Sequence, residues 1–413
     1  MADLIYGLLG RSLAHSWSVP IHAALGRPDY QLFEREPEEL EAFLQQETLG
    51  GVNVTIPYKQ TVMAFCDEID ETAKAIGSVN TLVREDGKLC GFNTDAVGFC
   101  RMAELAGIEL AGKKVLILGS GGASLTVQAM ARQLGAREVA VLSRSGENNY
   151  ETLPRHTDAE VIVNATPVGM FPNCGESLVD LTRFPRCTGV LDLIYNPRRT
   201  ALLLQAKALG IPHSDGLPML IEQAVAAEAL FFHKPFPAAA GTTILRDMRM
   251  KNTNIVLIGM PGCGKTTVGN YLSFFTGRSI IDTDYSIEQR YGRSIPEILA
   301  TDGEAAFREL EQQEVALSGQ QTGIILMTGG GVVKDPRNEA ALRQNGRVYQ
   351  LDRKLELLAT DGRPLSQSTD LSALLAEREP LYRQFRDAVI DNNGPAEVTA
   401  ERIWRDFCEH FGD

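Results

Sequence analysis

Nowhere in the 413 residues is there an apolar run approaching the roughly 20 residues that cross a bilayer, and the first twenty residues contain no apolar core of a signal peptide. Cysteine is sparse and unpaired: seven residues, an odd number, with no C-x-x-C spacing. That excludes a disulfide framework and a cysteine-based zinc site, and it leads us to expect reduced thiols in a cytoplasm. Cys263 is the one cysteine inside a motif, where it reads as a small filler rather than a nucleophile. Positive charge is also short. The net charge is −13, with 21 Lys/Arg against 29 Asp/Glu in residues 1–248 and 19 against 24 in residues 249–413. Neither part is basic, so neither nucleic acid nor an anionic membrane is an expected partner. Anionic small molecules would have to be held by a few placed cations.

The length calls for two or three domains. Beyond its midpoint the chain carries the apolar run Ile255-Val256-Leu257-Ile258, followed by Gly259-Met260-Pro261-Gly262-Cys263-Gly264-Lys265-Thr266-Thr267. A buried strand running into a glycine loop and then a helix is a phosphate-binding loop. Gly262 and Gly264 let backbone N–H groups turn toward an anion, Lys265 reaches terminal phosphates, and the Thr266 hydroxyl can ligate Mg²⁺. Ile280-Ile281-Asp282-Thr283-Asp284 reads as a strand end with two acids on one face, one for the Mg²⁺ shell through water and one for an attacking hydroxyl. Arg308 follows on a helix opened by Gly303, and Gly329-Gly330-Gly331 reads as a flexible turn after the strand Ile324 to Met327. Taken singly, each of these also reads as a surface acid, a surface arginine or a plain turn.

Everything before residue 250 has to be something else. A strand from Leu4 to Leu9 leads to Ser16-Trp17-Ser18, whose hydroxyls can hold a carboxylate or a polyol or simply close a solvated turn. Thr55-Ile56-Pro57-Tyr58-Lys59 joins a strand, a stiffened turn and a lysine; Asn80-Thr81 and Asn93-Thr94-Asp95 place amides, hydroxyls and an acid at strand ends. Such a surface suits a polyhydroxylated ring. Lys114 to Leu118, then Gly119-Ser120-Gly121-Gly122-Ala123 and a helical run to Leu134, is the strand, glycine turn and helix of a dinucleotide pyrophosphate site. After the next strand, Glu138 to Leu142, the position of the NAD-selecting acid holds Ser143-Arg144-Ser145, which suits the 2′-phosphate of NADP. A long helix is expected from Gly216 to about Met248, then a short polar junction through Met250–Thr253.

Residues 3–248 resemble shikimate dehydrogenases in the order HSxS, NVTxPxK, xVNT, GxNTD, NxTPxGM and DxxYxP. The resemblance implies Lys59 and Asp95 as the catalytic pair and Ser16, Ser18, Thr55, Asn80, Tyr195 and Gln223 as substrate contacts. It implies NADP(H) on Gly119, Gly121, Gly122, Ala123, Ser143, Arg144 and Ser145. Residues 254–411 resemble shikimate kinases through GxxGxGK[ST], DxD, GExxFR, GGG, RPL and RxxLY. That implies catalytic Lys265 and Asp284, and shikimate held by Arg308, Gly329, Gly330, Gly331 and Arg378. It also implies ATP on Gly262, Gly264, Lys265, Thr266, Thr267 and the lid arginine Arg363, with Mg²⁺ near Thr266 and Asp282.

The expected fold is therefore α/β throughout. Residues 1–99 with 219–248 would form a substrate lobe, 100–218 a Rossmann NADP lobe, and 250–413 a phosphate-loop kinase domain with a parallel sheet, like nucleoside monophosphate kinases. The two resemblances imply a bifunctional cytoplasmic enzyme that reduces 3-dehydroshikimate and phosphorylates shikimate. Three alternatives are a quinate/shikimate dehydrogenase using NAD, a different small-molecule kinase, and one module retained as a non-catalytic sensor. The presence of Lys59, Asp95, Lys265 and Asp284 argues against the last.

Overall fold

The structure is a computed structural model that describes residues 4–14, 16–144, 148–237, 239–359 and 371–412. It divides into two compact units, residues 1–170 with 176–245, and residues 246–413 with 171–175. Among the described residues no helix is long and apolar enough to cross a membrane.

The first unit holds two sheets. The first is mixed and comprises β1 (Ile5–Gly10), β2 (Gln31–Glu34), β3 (Leu49–Val54), β4 (Glu68–Ile69), β5 (Thr81–Glu85) and β6 (Lys88–Phe92), ordered β2-β1-β3-β5-β6-β4. β1 runs parallel to β2 and β3, whereas β5 is antiparallel to both β3 and β6. The end of β3 therefore meets the start of β5, with Asn53 opposite Thr81, and Thr81 in turn lies opposite Phe92 at the end of β6. Leu9, Val52, Val54 and Leu82 pack with Leu40 and Phe43 to form the core on this sheet.

The second sheet is wholly parallel: β7 (Lys114–Leu118), β8 (Glu138–Leu142), β9 (Val161–Asn164), β10 (Gly189–Asp192) and β11 (His213–Ser214), ordered β11-β10-β9-β7-β8. The inner strand β7 is buried at every residue, as an unbroken Val-Leu-Ile-Leu run requires when helices cover both faces. Helix Leu217–Phe232 lies against helix Asp95–Leu105, and Gly98 permits the approach: a Cβ there would sit 2.5 Å from the Met219 carbonyl oxygen.

The single long helix expected after Gly216 is two helices, Leu217–Phe232 and Ala240–Asn252. The first ends at His233 in the left-handed conformation, φ 51°, and Pro235 and Pro237 follow. Neither proline can donate an N–H to a continuing helix. Met250–Asn252 is likewise the last turn of the second helix rather than a polar connector, with the Asn252 side-chain amide donating to the Met248 carbonyl.

The second unit is built on one parallel sheet: β12 (Asn254–Ile258), β13 (Ile280–Asp282), β14 (Ile325–Met327), β15 (Gly346–Asp352) and β16 (Ala388–Asp391), ordered β13-β14-β12-β15-β16. β12 is central and fully buried, and Val256, Leu257, Ile325, Leu326 and Val348 join Ile403 and Phe407 of helix Ala396–His410 in the core.

Leu257 is completely buried in the middle of that core. Leu257→Ala should therefore cost the second unit about 2–5 kcal/mol through lost transfer energy and an unfilled cavity. Urea unfolding followed by Trp404 fluorescence, in a Trp17→Phe background that leaves one tryptophan, should show the lower midpoint.

Candidate active sites

In the first unit, Lys59 and Asp95 come together although 36 residues apart. Lys59 leaves β3 through a turn closed by the Tyr58 N–H on the Thr55 carbonyl, at 2.9 Å. Asp95 opens helix Asp95–Leu105 directly after β6. The Lys59 ammonium donates to Asp95 Oδ2 at 2.6 Å, with the two side chains only 16% and 10% exposed. Beside them Asn80 Oδ1 accepts from the Thr94 N–H at 2.7 Å, and Asn80 Nδ2 donates to Thr94 Oγ1 at 3.1 Å and to Gln223 Oε1 at 3.5 Å. Behind this lies a further buried row that sequence reading missed. Tyr30 donates to Asn53 Oδ1 at 2.8 Å, and Asn53 Nδ2 donates to Thr81 Oγ1 at 3.0 Å. Nothing in linear spacing signals that row, because strand pairing alone makes it.

Ser16 and Ser18 share a hydrogen bond at 3.1 Å, and Thr55 packs against the end of β1, where a Cβ on Gly10 would meet its methyl group at 2.7 Å. Tyr195 reaches the loop from the second sheet, its ring 5.1 Å from Trp17 between the two serines, and burial pushes its phenol up. The turns that carry Thr166 and Tyr195 are tied by Asp192, a fully buried acid. Asp192 accepts from Asn164 Nδ2 at 2.9 Å, from the Ile194 N–H at 3.1 Å and from the Thr200 hydroxyl at 2.6 Å. Asn164 Oδ1 in turn accepts from the Thr166 hydroxyl at 2.7 Å. Despite those bonds, burial raises the Asp192 carboxyl to about 7.

Gly119 and Gly121 lie in the turn between β7 and helix Gly122–Gln133, which Gly122 and Ala123 open. Gly119 has φ 106°, and a Cβ on it would meet the Thr166 methyl at 2.7 Å, so only glycine fits. Gly121 and Gly122 face open space, as a pyrophosphate over a helix N-terminus requires. Parallel register puts Leu142 beside Leu118, so Ser143 and the exposed Arg144 stand next to the glycine turn. These residues fit a dinucleotide with a 2′-phosphate. Ser145 lies outside the described residues.

In the second unit the phosphate loop follows β12. Gly259, Gly262 and Gly264 have φ of 140°, 81° and 99°, values that only glycine adopts readily. Lys265 opens helix Lys265–Thr276, and its ammonium donates to the Gly259 and Met260 carbonyls at 2.8 and 3.1 Å. Thr266 and Thr267 are exposed on the first helical turn.

The two acids do not share a strand face. Asp282 ends β13 and caps helix Thr283–Tyr291, its Oδ1 accepting from the N–H groups of Asp284 and Tyr285 at 3.1 and 3.4 Å. A cap satisfies N–H groups that the helix start would otherwise leave unpaired, which is why the strand ends there. The other Asp282 oxygen and the Thr266 hydroxyl suit Mg²⁺, which keeps several waters and leans on substrate phosphates. Asp284 lies in the first helical turn, and its buried Oδ1 has no hydrogen-bond partner among the described residues. Burial, then the charges of Asp282 and Glu311, raise its carboxyl to about 6.

The glycine triplet is packed rather than flexible. A Cβ on Gly329 would sit 2.6 Å from Asp284 Oδ1 and 3.0 Å from Glu311 Oε1, one on Gly330 would strike Pro261, and one on Gly331 would strike the Arg308 guanidinium. Arg378 and Tyr382 both donate to the Gly330 carbonyl, at 3.0 and 2.5 Å. Glu311, missed in sequence, holds Arg308 at 2.6 Å, and burial raises its carboxyl. Its signal was the i, i+3 spacing from Arg308 on one helix. Arg363 lies outside the described residues.

A glycine-turn dinucleotide lobe beside a Lys–Asp pair, and a phosphate loop beside an arginine-lined acid, define an oxidoreductase and a small-molecule kinase carried on one chain. Comparison with known proteins makes this particular. Residues 8–82 match the family described as shikimate dehydrogenase substrate binding domain, and residues 261–408 match that described as shikimate kinase. The shikimate dehydrogenase (NADP(+)) of Caldicellulosiruptor bescii is 37% identical over 253 residues, covering 54% of this chain and 88% of that protein. A chorismate mutase/shikimate 5-dehydrogenase fusion protein from Clostridium acetobutylicum is 34% identical with TM-score 0.58, covering 61% of this chain and 99% of that one. Quinate dehydrogenase from Corynebacterium glutamicum in complex with NAD is 27% identical with TM-score 0.53, covering 59% and 99%. The chain belongs to the shikimate dehydrogenase family and carries a shikimate kinase domain after it.

Asp192 sets a pH test of stability. Its carboxyl holds a proton in the fold up to about pH 7, against an ordinary value of 3.8, so the folded state binds the proton that the unfolded chain releases. Stability from this group is present at low pH and is lost as pH rises from about 4 to 7, at up to about 1.4 kcal/mol per pH unit. Asp192→Asn should flatten that slope in urea unfolding measured across the window; parallel slopes for both proteins would count against it.

Proposed function

We propose that the chain is a bifunctional enzyme that reduces 3-dehydroshikimate to shikimate with NADPH and phosphorylates shikimate at its 3-hydroxyl with MgATP. The observation that supports this is two clusters of buried polar and charged groups suited to a polyol acid, Lys59–Asp95 beside Asn80 and Gln223, and Asp284, Arg308 and Arg378 around the glycine triplet. The product of one is the substrate of the other. We assign residues 1–99 with 219–248 to substrate binding, 100–218 to NADP and 250–413 to the kinase, acting in the cytoplasm on small molecules.

In the first site NADPH supplies the hydride. Lys59 delivers a proton to the ketone oxygen, and Asp95 accepts a hydrogen bond from the ammonium and aims it. Ser16, Ser18, Thr55, Asn80, Tyr195 and Gln223 hold the carboxylate and hydroxyls, and Arg144 with Ser143 selects the 2′-phosphate. In the second site MgATP supplies the phosphoryl group. Asp284 orients the attacking hydroxyl and takes its proton, consistent with a carboxyl raised to about 6. Arg308 and Arg378 clamp the substrate carboxylate, and Lys265 with Arg363 offsets charge on the transferred group.

A mass-spectrometric assay with 3-dehydroshikimate, NADPH and MgATP should give shikimate 3-phosphate, and shikimate alone without ATP. Greater turnover of quinate with NAD would replace the first assignment, a reading to which the Corynebacterium glutamicum similarity lends weight and Arg144 does not. Lys59→Ala should remove at least about 10²-fold of reduction, the scale of a lost general acid, and leave phosphorylation intact. Lys265→Ala should do the reverse. Equal losses of both activities in either variant would refute two independent sites.

A further inference from the structure

We propose that Asn392 is a positioning residue for phosphate binding: its side-chain amide sets the Cys263–Gly264 peptide so that the Gly264 N–H faces the anion. The proposal rests on the kinase assignment above. Asn392 follows β16 at the end of the sheet, is completely buried, and is tied to β15 by its own N–H on the Asp352 carbonyl at 2.8 Å. Its Nδ2 donates to the Cys263 carbonyl at 2.6 Å. Its Oδ1 accepts from the Thr399 hydroxyl at 2.7 Å, and Thr399 is itself buried in helix Ala396–His410. A hydroxyl donor on one side and a carbonyl acceptor on the other define which end of the amide is oxygen and which is nitrogen.

That orientation has a consequence for the loop. In a planar trans peptide the carbonyl and the following N–H point to opposite sides. Drawing the Cys263 carbonyl toward Asn392 therefore turns the Gly264 N–H away from Asn392, to the side where loop N–H groups gather around a phosphate. A flipped peptide would instead present a carbonyl dipole to the anion. Other loop carbonyls are also occupied: Lys265 takes those of Gly259 and Met260, and the Ala359 N–H takes that of Gly262 at 3.3 Å. Gly264 is needed twice over. Its φ is 99°, and a Cβ would sit 2.8 Å from Asn392 Nδ2, so a side chain would expel the amide. Asn392 is 129 residues from Cys263, beyond the reach of any loop motif.

The test uses the full chain and calorimetric binding of MgADP and of inorganic pyrophosphate, with KM for shikimate and the reductase rate as internal standards. Asn392→Ala should weaken MgADP and pyrophosphate by a similar factor, about tenfold or more as for a lost buried hydrogen bond, with shikimate KM held within about twofold. Thr399→Val, which releases the amide, should lose part of that affinity, and Thr399→Ser should restore it; this pair decides the matter if Asn392→Ala does not fold. Unchanged MgADP affinity overturns the proposal, as does a loss confined to MgADP with pyrophosphate intact, or an equal loss for shikimate. Wild-type protein that binds neither nucleotide nor pyrophosphate overturns the kinase assignment itself.

Discussion

Strand direction is the constraint on which both sites depend. In the two parallel sheets every strand delivers its carboxyl end to the same edge, so glycine turns, helix N-termini and polar side chains collect there. The mixed sheet achieves the same by another route. Because β3 and β5 run antiparallel, the end of one meets the start of the other, and β6 returns its own end to that edge. Thr55, Lys59, Asn80 and Asp95 therefore share one rim although the chain separates them. A one-residue slip in that pairing would turn Asn53 and Thr81 to opposite faces and undo the buried row behind the rim.

Both sites use buried polar groups, but to different ends. Lys59 and Asp95 keep a little exposure and pair directly, which fixes the direction of a proton donor without fully desolvating it. Asp284 and Glu311 are buried deeper, each with an oxygen that has no partner among the described residues, and burial pushes both carboxyls up. Oxygens of that kind are costly unless something donates to them, so the pocket is matched to hydroxyls and bound water rather than to apolar ligands. Asp192 bears a similar cost for another purpose. It fixes two turns at the strand ends of the parallel sheet, one through Asn164 and one through the Ile194 N–H.

The glycines show why a motif and its physical cause can differ. The triplet Gly329–Gly331 read as a turn needing freedom, but its conformation is ordinary and its space is not: each missing Cβ admits a neighbour, Asp284, Pro261 or Arg308. Gly119 and Gly264 need both the space and the positive φ. The helix after Gly216 shows the converse. It was expected to run on past His233 to about Met248, yet Pro235 and Pro237 withhold two N–H donors and the helix breaks.

The strands, the two glycine loops and the chemical character of each site were legible in the sequence because they depend on contiguous residues. A buried parallel strand needs an unbroken apolar run, and an anion cradle needs glycines at fixed offsets before a helix. Pairings between distant residues were not legible. Asn53 with Thr81, Asp192 with Asn164, and Asn392 with Cys263 are hydrogen bonds made by strand order, and linear spacing carries no record of which strand ends become neighbours. The sequence by itself determined which groups are available for chemistry; the tertiary structure alone decided which of them are buried together, and burial sets whether each group is charged, neutral or held in place.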